Sequence, residues 1–184
     1  MRDSLCRSLR HAVALGLCVL LLATPVAAQT APGQGAGIAL AQPEGDVILT
    51  VRGGIGRTNG AAEAQLDRKM IEDVGVVTVH TGTIWTEGTK EFVGVELARL
   101  LAHLEAEGSL LRLTALNDYA VEIPLAEVTM GGPVLAFRMD GIDLSARDKG
   151  PLWMIYPYDQ KPEFKTDVNY ARSIWQVTTI EVLP

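Results

Sequence analysis

Cysteine is almost absent from this sequence, and its two cysteines lie near the start of the chain. Cys6 and Cys18 precede every segment that is predicted below to fold. The rest of the chain therefore has neither a disulfide nor a thiolate. The chain has 184 residues, and roughly 150 of them are expected to remain after an N-terminal leader is removed. A chain of about that length can bury ~70% of its surface and fold without disulfides, so we expect one compact domain.

Basic residues are also scarce. The chain has 16 Lys and Arg against 22 Asp and Glu, a formal net charge of −6. Three of the Arg and one of the Asp fall within residues 1–28, so the remainder is more acidic still. Nucleic-acid binding depends on clustered Lys and Arg that neutralise phosphates, and no basic run occurs. We expect no nucleic acid among the partners.

Few residues of the types that carry catalysis are present. Beyond residue 28 the histidines are His80 and His103, which without cysteine cannot form a zinc site of the usual His and Cys type. No G-x-S-x-G elbow supports serine hydrolase chemistry. The sequence therefore predicts no metal site, and it leaves the catalytic residues, if there are any, unassigned.

The N-terminus has the pattern of a signal peptide. Arg2, Arg7 and Arg10 precede an apolar run over residues 12–23, and small residues end at Ala28. The run is shorter than the ~20 residues of a membrane span. We expect cleavage after residue 28, a periplasmic location and no membrane span afterwards. An uncleaved anchor is the alternative, disfavoured because Pro25 ends the run without a stop-transfer flank.

A lead-in and one folded domain are predicted to follow. Residues 29–43 are rich in Ala, Gly, Gln and Pro, which predicts a flexible lead-in before a domain over residues 44–184. The glycine-rich stretch 53–60 follows a predicted strand at 46–52. Its spacing matches neither a dinucleotide fingerprint nor a Walker loop, so we interpret it as a turn.

The hydrophobic pattern predicts many strands and two helices. Asp67 should cap a short helix that closes at Gly75, and leucines at i, i+3, i+4 and i+7 predict a second helix over residues 94–107. Two hairpins are expected around residues 117–118 and 140–141. So few helices favour an α+β class with a mixed or barrel-like β-sheet. The remaining strands are predicted at 76–79, 111–116, 119–123, 134–139, 142–144, 152–156 and 175–183.

Polar and aromatic side chains gather where these strands end. Ligands are often held by such loop positions on a rigid scaffold. Arg147 and Lys149 could grip an anion, and the aromatic rings could stack on a planar group. The alternative is that Asp148 pairs with the two cations and that the rings fill the core. The candidate ligand- or cofactor-binding residues are His80, Trp85, Asn117, Asp118, Tyr119, Arg147, Lys149 and Trp153.

Taken in order, several of these segments resemble a known family. Residues 92–101, 117–124, 135–141 and 149–153 are similar to segments of the molybdopterin-binding domain of sulfite-oxidase-type oxidoreductases. The resemblance runs from about Val47 to Leu183 and is nearest to small exported stand-alone versions of that domain. It implies a mixed α+β fold that binds a pterin through its loops.

The resemblance also implies a missing metal ligand. In the family a cysteine thiolate completes the molybdenum coordination, and its position falls here near residues 80–82, which contain no cysteine. Neither an imidazole nor a hydroxyl replaces an anionic thiolate. Molybdopterin thus stays possible by resemblance, whereas thiolate ligation of molybdenum does not. The segment Arg147 to Trp153 corresponds to the one that holds the pterin's phosphate arm.

Three functions follow from the sequence. The leading hypothesis is a periplasmic module that binds a small anionic or aromatic ligand, or an exported protein partner, without molybdenum redox chemistry. An enzyme is the first alternative: a divergent molybdopterin-dependent oxidoreductase with His80, or no protein ligand, at the metal. The second alternative is an extracytoplasmic sensor subunit of a membrane signalling protein.

Overall fold

The computed structural model describes residues 38–184. The predicted signal peptide, residues 1–28, and most of the predicted lead-in lie outside the described residues. Within them, 18% of residues are helical and 42% are in strands, so the prediction of a strand-rich α+β fold with few helices is confirmed. No helix in this part of the chain is long and apolar enough to span a bilayer.

One five-stranded sheet contains both parallel and antiparallel pairs. β12 (Val177–Leu183) pairs in parallel with β2 (Val47–Gly53), and the other neighbours are antiparallel. The predicted mixed sheet is thus confirmed. In spatial order its strands are β4 (Glu63–Asp67), β2 (Val47–Gly53), β12 (Val177–Leu183), β7 (Leu110–Ala115) and β8 (Ala120–Pro124).

The second sheet is antiparallel throughout. Four of its strands lie side by side, with β5 (Val76–Gly82) at one edge. A fifth strand, β11 (Trp153–Ile155), pairs with β9 (Val134–Met139). Both sheets are open, so the barrel-like alternative does not describe them. The strands are β10 (Ile142–Asp143), β9 (Val134–Met139), β6 (Thr89–Glu96), β5 (Val76–Gly82) and β11 (Trp153–Ile155).

The predicted lead-in contributes to the fold at its C-terminal end. β1 (Ile38–Ala39) pairs in parallel with β3 (Arg57–Thr58), and Leu40 is 9% exposed within the main core. These residues of the predicted lead-in therefore pack with the rest of the described chain. The sequence did not indicate a strand at residues 38–40, because alanine and glycine flank this short apolar segment.

Two of the three α-helices were predicted. α1 (Arg68–Val74) starts at the predicted cap, where the Asp67 carboxylate accepts the Met70 N–H, and it ends at Gly75 with φ 128°. α2 (Leu97–His103) is shorter than the predicted 94–107, because Gly94 belongs to β6. α3 (Asp167–Arg172) was not predicted.

Gly94 shows why the second helix begins late. A Cβ at this position would lie 2.2 Å from the Leu135 carbonyl oxygen on β9. Such a close approach of two strands requires glycine. The helix ends early because Glu105 has φ 53°, which stops the regular turn.

Both predicted hairpins are confirmed. β7 and β8 are joined by residues 116–119, with Asp118 at φ 64°. Asp140 and Gly141 join β9 to β10 with φ 49° and 78°, the pair of positive angles that a tight two-residue hairpin turn needs.

The main core lies between the sheets and the first two helices. Leucines of α2 pack there with the inward side chains of β2, β7 and β12, and almost all of them are inaccessible to water. A smaller buried cluster surrounds Trp153, together with Phe92, Ala136 and Ile155. This second cluster adjoins the site described next.

Candidate functional site

An aromatic cleft of about 340 Å³ lies beside the smaller buried cluster around Trp153. Its walls come from the loop after β5, the β7–β8 turn, and α3 with the segment that follows it. We call this site the aromatic cleft. Its lining residues are Trp85, Ala115, Asn117, Tyr119, Tyr170, Ala171, Ser173, Ile174 and Trp175.

All three tryptophans of the chain meet at the cleft. The ring centroids of Trp85 and Trp153 are 6.0 Å apart, as are those of Trp85 and Trp175, and the Trp153–Trp175 distance is 6.4 Å. Trp153 is fully buried and donates its indole N–H to the Ser173 carbonyl at 3.2 Å. Trp175 is 38% exposed, so the cluster extends from the core to the surface.

Tyrosines and a serine fix the wall that α3 supplies. The Tyr170 ring lies 6.2 Å from Trp85 at 82° and 4.9 Å from Tyr158. The Tyr158 hydroxyl is hydrogen-bonded to that of Ser173, which donates to the Asn169 carbonyl at 2.8 Å. Burial raises the pKa of the Tyr158 phenol. These polar groups are satisfied within the protein, so they hold the aromatic walls in place.

Lys149 lies against the tryptophans from outside the lining. Its ammonium is 5.3 Å from the Trp153 ring centroid and 6.0 Å from that of Trp175. The Asp148 carboxylate is 3.5 Å away. This cation is therefore held by ring faces and by a neighbouring anion.

Five of the eight predicted site residues come together. Trp85, Asn117 and Tyr119 line the aromatic cleft, and Lys149 and Trp153 pack against it. The lining residues that the sequence did not indicate are Ala115, at the end of β7, and five residues on or just after α3: Tyr170, Ala171, Ser173, Ile174 and Trp175. A signal was present, because Thr166 caps α3 by accepting the Asn169 N–H.

The other three predicted residues lie elsewhere. Asp118 forms the exposed tip of the β7–β8 turn, and Arg147 is exposed in the loop before Lys149. His80 was expected to end a strand, but β5 continues to Gly82. Its side chain is 60% exposed, with Nε2 3.4 Å from a Glu91 carboxylate oxygen. None of the three belongs to the lining of the cleft.

The residues at the family's thiolate position do not fit a thiolate-bound molybdenum. Thr81 is buried, and its hydroxyl accepts the Asp159 N–H at 3.0 Å and donates to the Gly82 carbonyl at 3.2 Å. His80 lies on the opposite face of the strand. The donor set is thus a bonded hydroxyl and an exposed imidazole, neither of which is a soft anionic ligand. Within residues 38–184, no group of three His, Cys, Asp or Glu residues is placed to hold a metal ion.

Comparison with known proteins identifies the fold. No protein-family model and no curated protein sequence matches the chain. Among solved structures, the sulfane dehydrogenase SoxCD from Paracoccus pantotrophus matches with a TM-score of 0.56 and 17% sequence identity. The fold is of the sulfite-oxidase type. The match covers 78% of this chain but only 40% of the dehydrogenase chain, so the protein corresponds to less than half of that enzyme.

Proposed function

We propose that this protein is an exported module of the sulfite-oxidase-type fold that binds a small ligand in the aromatic cleft, without molybdenum redox chemistry. The cleft carries the proposal. It is concave, its walls are aromatic and aliphatic, and a few polar groups lie among them, which is the usual composition of a small-molecule site. A volume of about 340 Å³ suits a compact ligand.

The chemistry of the donor atoms supports the negative half of the proposal. The resemblance places the family's thiolate near residues 80–82, and the chain has no cysteine beyond residue 18. The Thr81 hydroxyl already bridges β5 to the Asp159 backbone. Thr81 therefore has a structural role in the proposed module.

The walls favour contact with apolar or aromatic parts of a ligand. Trp85, Trp175, Tyr119 and Tyr170 supply rings, and Asn117 supplies an amide. Rings of this size give large contact areas at a small cost in conformational entropy. The sequence suggested that Arg147 and Lys149 form an anion site. Neither residue lines the cleft, because Lys149 packs against the tryptophan rings from outside the lining and Arg147 is exposed.

Native mass spectrometry of the protein purified from its own periplasm tests the proposal. We expect a bound small molecule and no stoichiometric molybdenum by elemental analysis. Because every tryptophan lies at the cleft, the bound ligand should change the intrinsic fluorescence when it is removed and added back. Stoichiometric molybdenum with pterin would contradict the proposal and favour the oxidoreductase alternative.

Matched variants locate the site. Trp175→Ala should reduce the fluorescence response and lower affinity roughly 5- to 150-fold, because stacking on one ring is worth about 1 to 3 kcal/mol. Ile142→Ala removes an exposed apolar side chain that is not part of the lining, and it should leave the affinity unchanged. Equal losses in both variants would place binding outside the cleft.

A further inference from the structure

Three rings of the aromatic cleft form nearly perpendicular walls. Trp85 meets Trp175 at 80° with centroids 6.0 Å apart, and it meets Tyr170 at 82° with centroids 6.2 Å apart. Tyr119 adds a fourth ring to the lining. Both pairs are edge-to-face contacts. A cation over the face of one such ring, within ~6 Å of its centroid, would gain a cation–π interaction.

The lining of the cleft is uncharged and largely aromatic. Among residues 38–184, the lining contains no Lys, Arg, Asp or Glu. No charged group in it is therefore placed to pair with an anion, whereas ring faces carry the negative end of the aromatic quadrupole. The formal net charge of −6 further attracts cations over a long range.

The remaining walls suit a cation that carries methyl groups. Apolar side chains line this part of the cleft, from Ala115, Ala171 and Ile174. They can contact methyl groups but cannot accept hydrogen bonds from an ammonium N–H. A primary ammonium at these walls would lose water hydrogen bonds, since the Ser173 hydroxyl is engaged with Tyr158 and Asn169. A quaternary ammonium has no N–H groups to satisfy.

We infer that the aromatic cleft binds a quaternary or fully methylated ammonium compound. The inference rests on the proposed function and names its ligand class. The ammonium head would lie in the cleft against the rings of Trp85, Trp175 and Tyr170. The cleft is larger than such a head group, so the rest of the ligand extends toward Asn117 and Tyr119.

Lys149 provides a test of the sign of the ligand's charge. Its ammonium lies 6.0 Å from the Trp175 ring, so it repels a second cation at that ring and attracts an anion. Lys149→Met keeps a long apolar side chain and removes the charge. Affinity for a cationic ligand should rise several-fold in this variant, and affinity for an anionic ligand should fall.

The experiment is a titration of the ligand-stripped full-length mature protein, followed by tryptophan fluorescence and calorimetry. The probes are tetramethylammonium, choline, the uncharged isostere of choline in which carbon replaces nitrogen, and benzoate. We expect choline to bind at least 10-fold more tightly than its isostere, and Trp175→Leu to lose that preference. Circular dichroism confirms that the variants are folded, and Ile142→Ala is the control.

Two results would overturn the inference. Equal affinity for choline and its isostere would show that the cleft recognises only apolar volume. Tighter binding of benzoate, weakened in Lys149→Met, would make the ligand an anion. In either case the cleft still binds a small molecule and the proposed function stands. If no probe binds and native mass spectrometry finds no ligand, both the inference and the proposed function fail.

Discussion

Replacement of Asp67 should destabilise the domain more than any surface change of similar size. The Asp67 carboxylate accepts backbone N–H groups from Met70 at 2.8 Å, Glu44 at 2.7 Å and Gly45 at 2.9 Å. The residue is only 3% exposed. One side chain thus caps α1 and ties down the segment that leads into β2.

The size of the effect follows from these three hydrogen bonds. Loss of an N-cap costs about 1 kcal/mol, and a buried donor left without a partner costs about 1 to 3 kcal/mol. Water can reach Glu44 and Gly45, which are exposed, so their share is at the low end. Asp67→Ala should therefore lower the free energy of unfolding by about 3 kcal/mol. Asp67→Asn, which keeps an acceptor, should cost about 1 kcal/mol.

The same contacts predict a dependence on pH. Hydrogen bonds from the backbone, first from Met70 and then from Gly45, lower the pKa of Asp67 below its usual value. A lowered pKa in the folded state stabilises the protein above the pKa of the unfolded chain, about 3.9, and this contribution is lost as pH falls through the folded value. Asp67→Asn should remove this part of the acid sensitivity.

Urea denaturation followed by tryptophan fluorescence measures both effects. Asp73→Ala is the control, because Asp73 forms an exposed pair with Lys69, and such pairs contribute under about 1 kcal/mol. If Asp67→Ala lost no more stability than Asp73→Ala, the role assigned to this cap would be refuted.

Further predictions concern the strands and a buried phenol. Gly94→Ala should lower the free energy of unfolding by about 3 kcal/mol, because its Cβ would collide with the Leu135 carbonyl; urea denaturation checks this. The Gly82 N–H bonds to Asp159, so by alternation the Thr78 N–H also points away from β6. Thr78→Pro should therefore leave a folded protein by circular dichroism, whereas Val79→Pro, which breaks a ladder bond, should not. Burial raises the pKa of Tyr156 to about 12. The free energy of unfolding should thus fall between pH 10 and 12, and this fall should be smaller in Tyr156→Phe.

Elements set by neighbouring residues could be predicted from the sequence. Asp67 and Gly75 bound α1 as expected, and residues 140–141 form the expected hairpin turn. In each case the deciding interaction spans a few residues of backbone. The start of the second helix was predicted too early, at Gly94, because the deciding contact there is not local. Gly94 pairs with β9, about 40 residues away along the chain, and this close approach requires glycine.

The candidate site could be predicted only in part. Trp85, Asn117 and Tyr119 drew attention as aromatic and polar groups at the ends of strands, and they do line the cleft. His80 and Arg147 have the same kind of local sequence and lie outside it. A local pattern indicates that a residue follows a strand, but the pairing of distant strands decides which strand ends are neighbours.

The sequence by itself determined that the domain beyond residue 28 is acidic and has no thiol, because these are matters of composition. It therefore offers no cysteine for the thiolate ligand of the family that the sequence resembles. Only the tertiary structure decided that Trp85, Trp153 and Trp175 share one cleft. They lie far apart along the chain, and the pairing of β11 with β9, with a bridge between Trp153 and Trp175, brings their rings together.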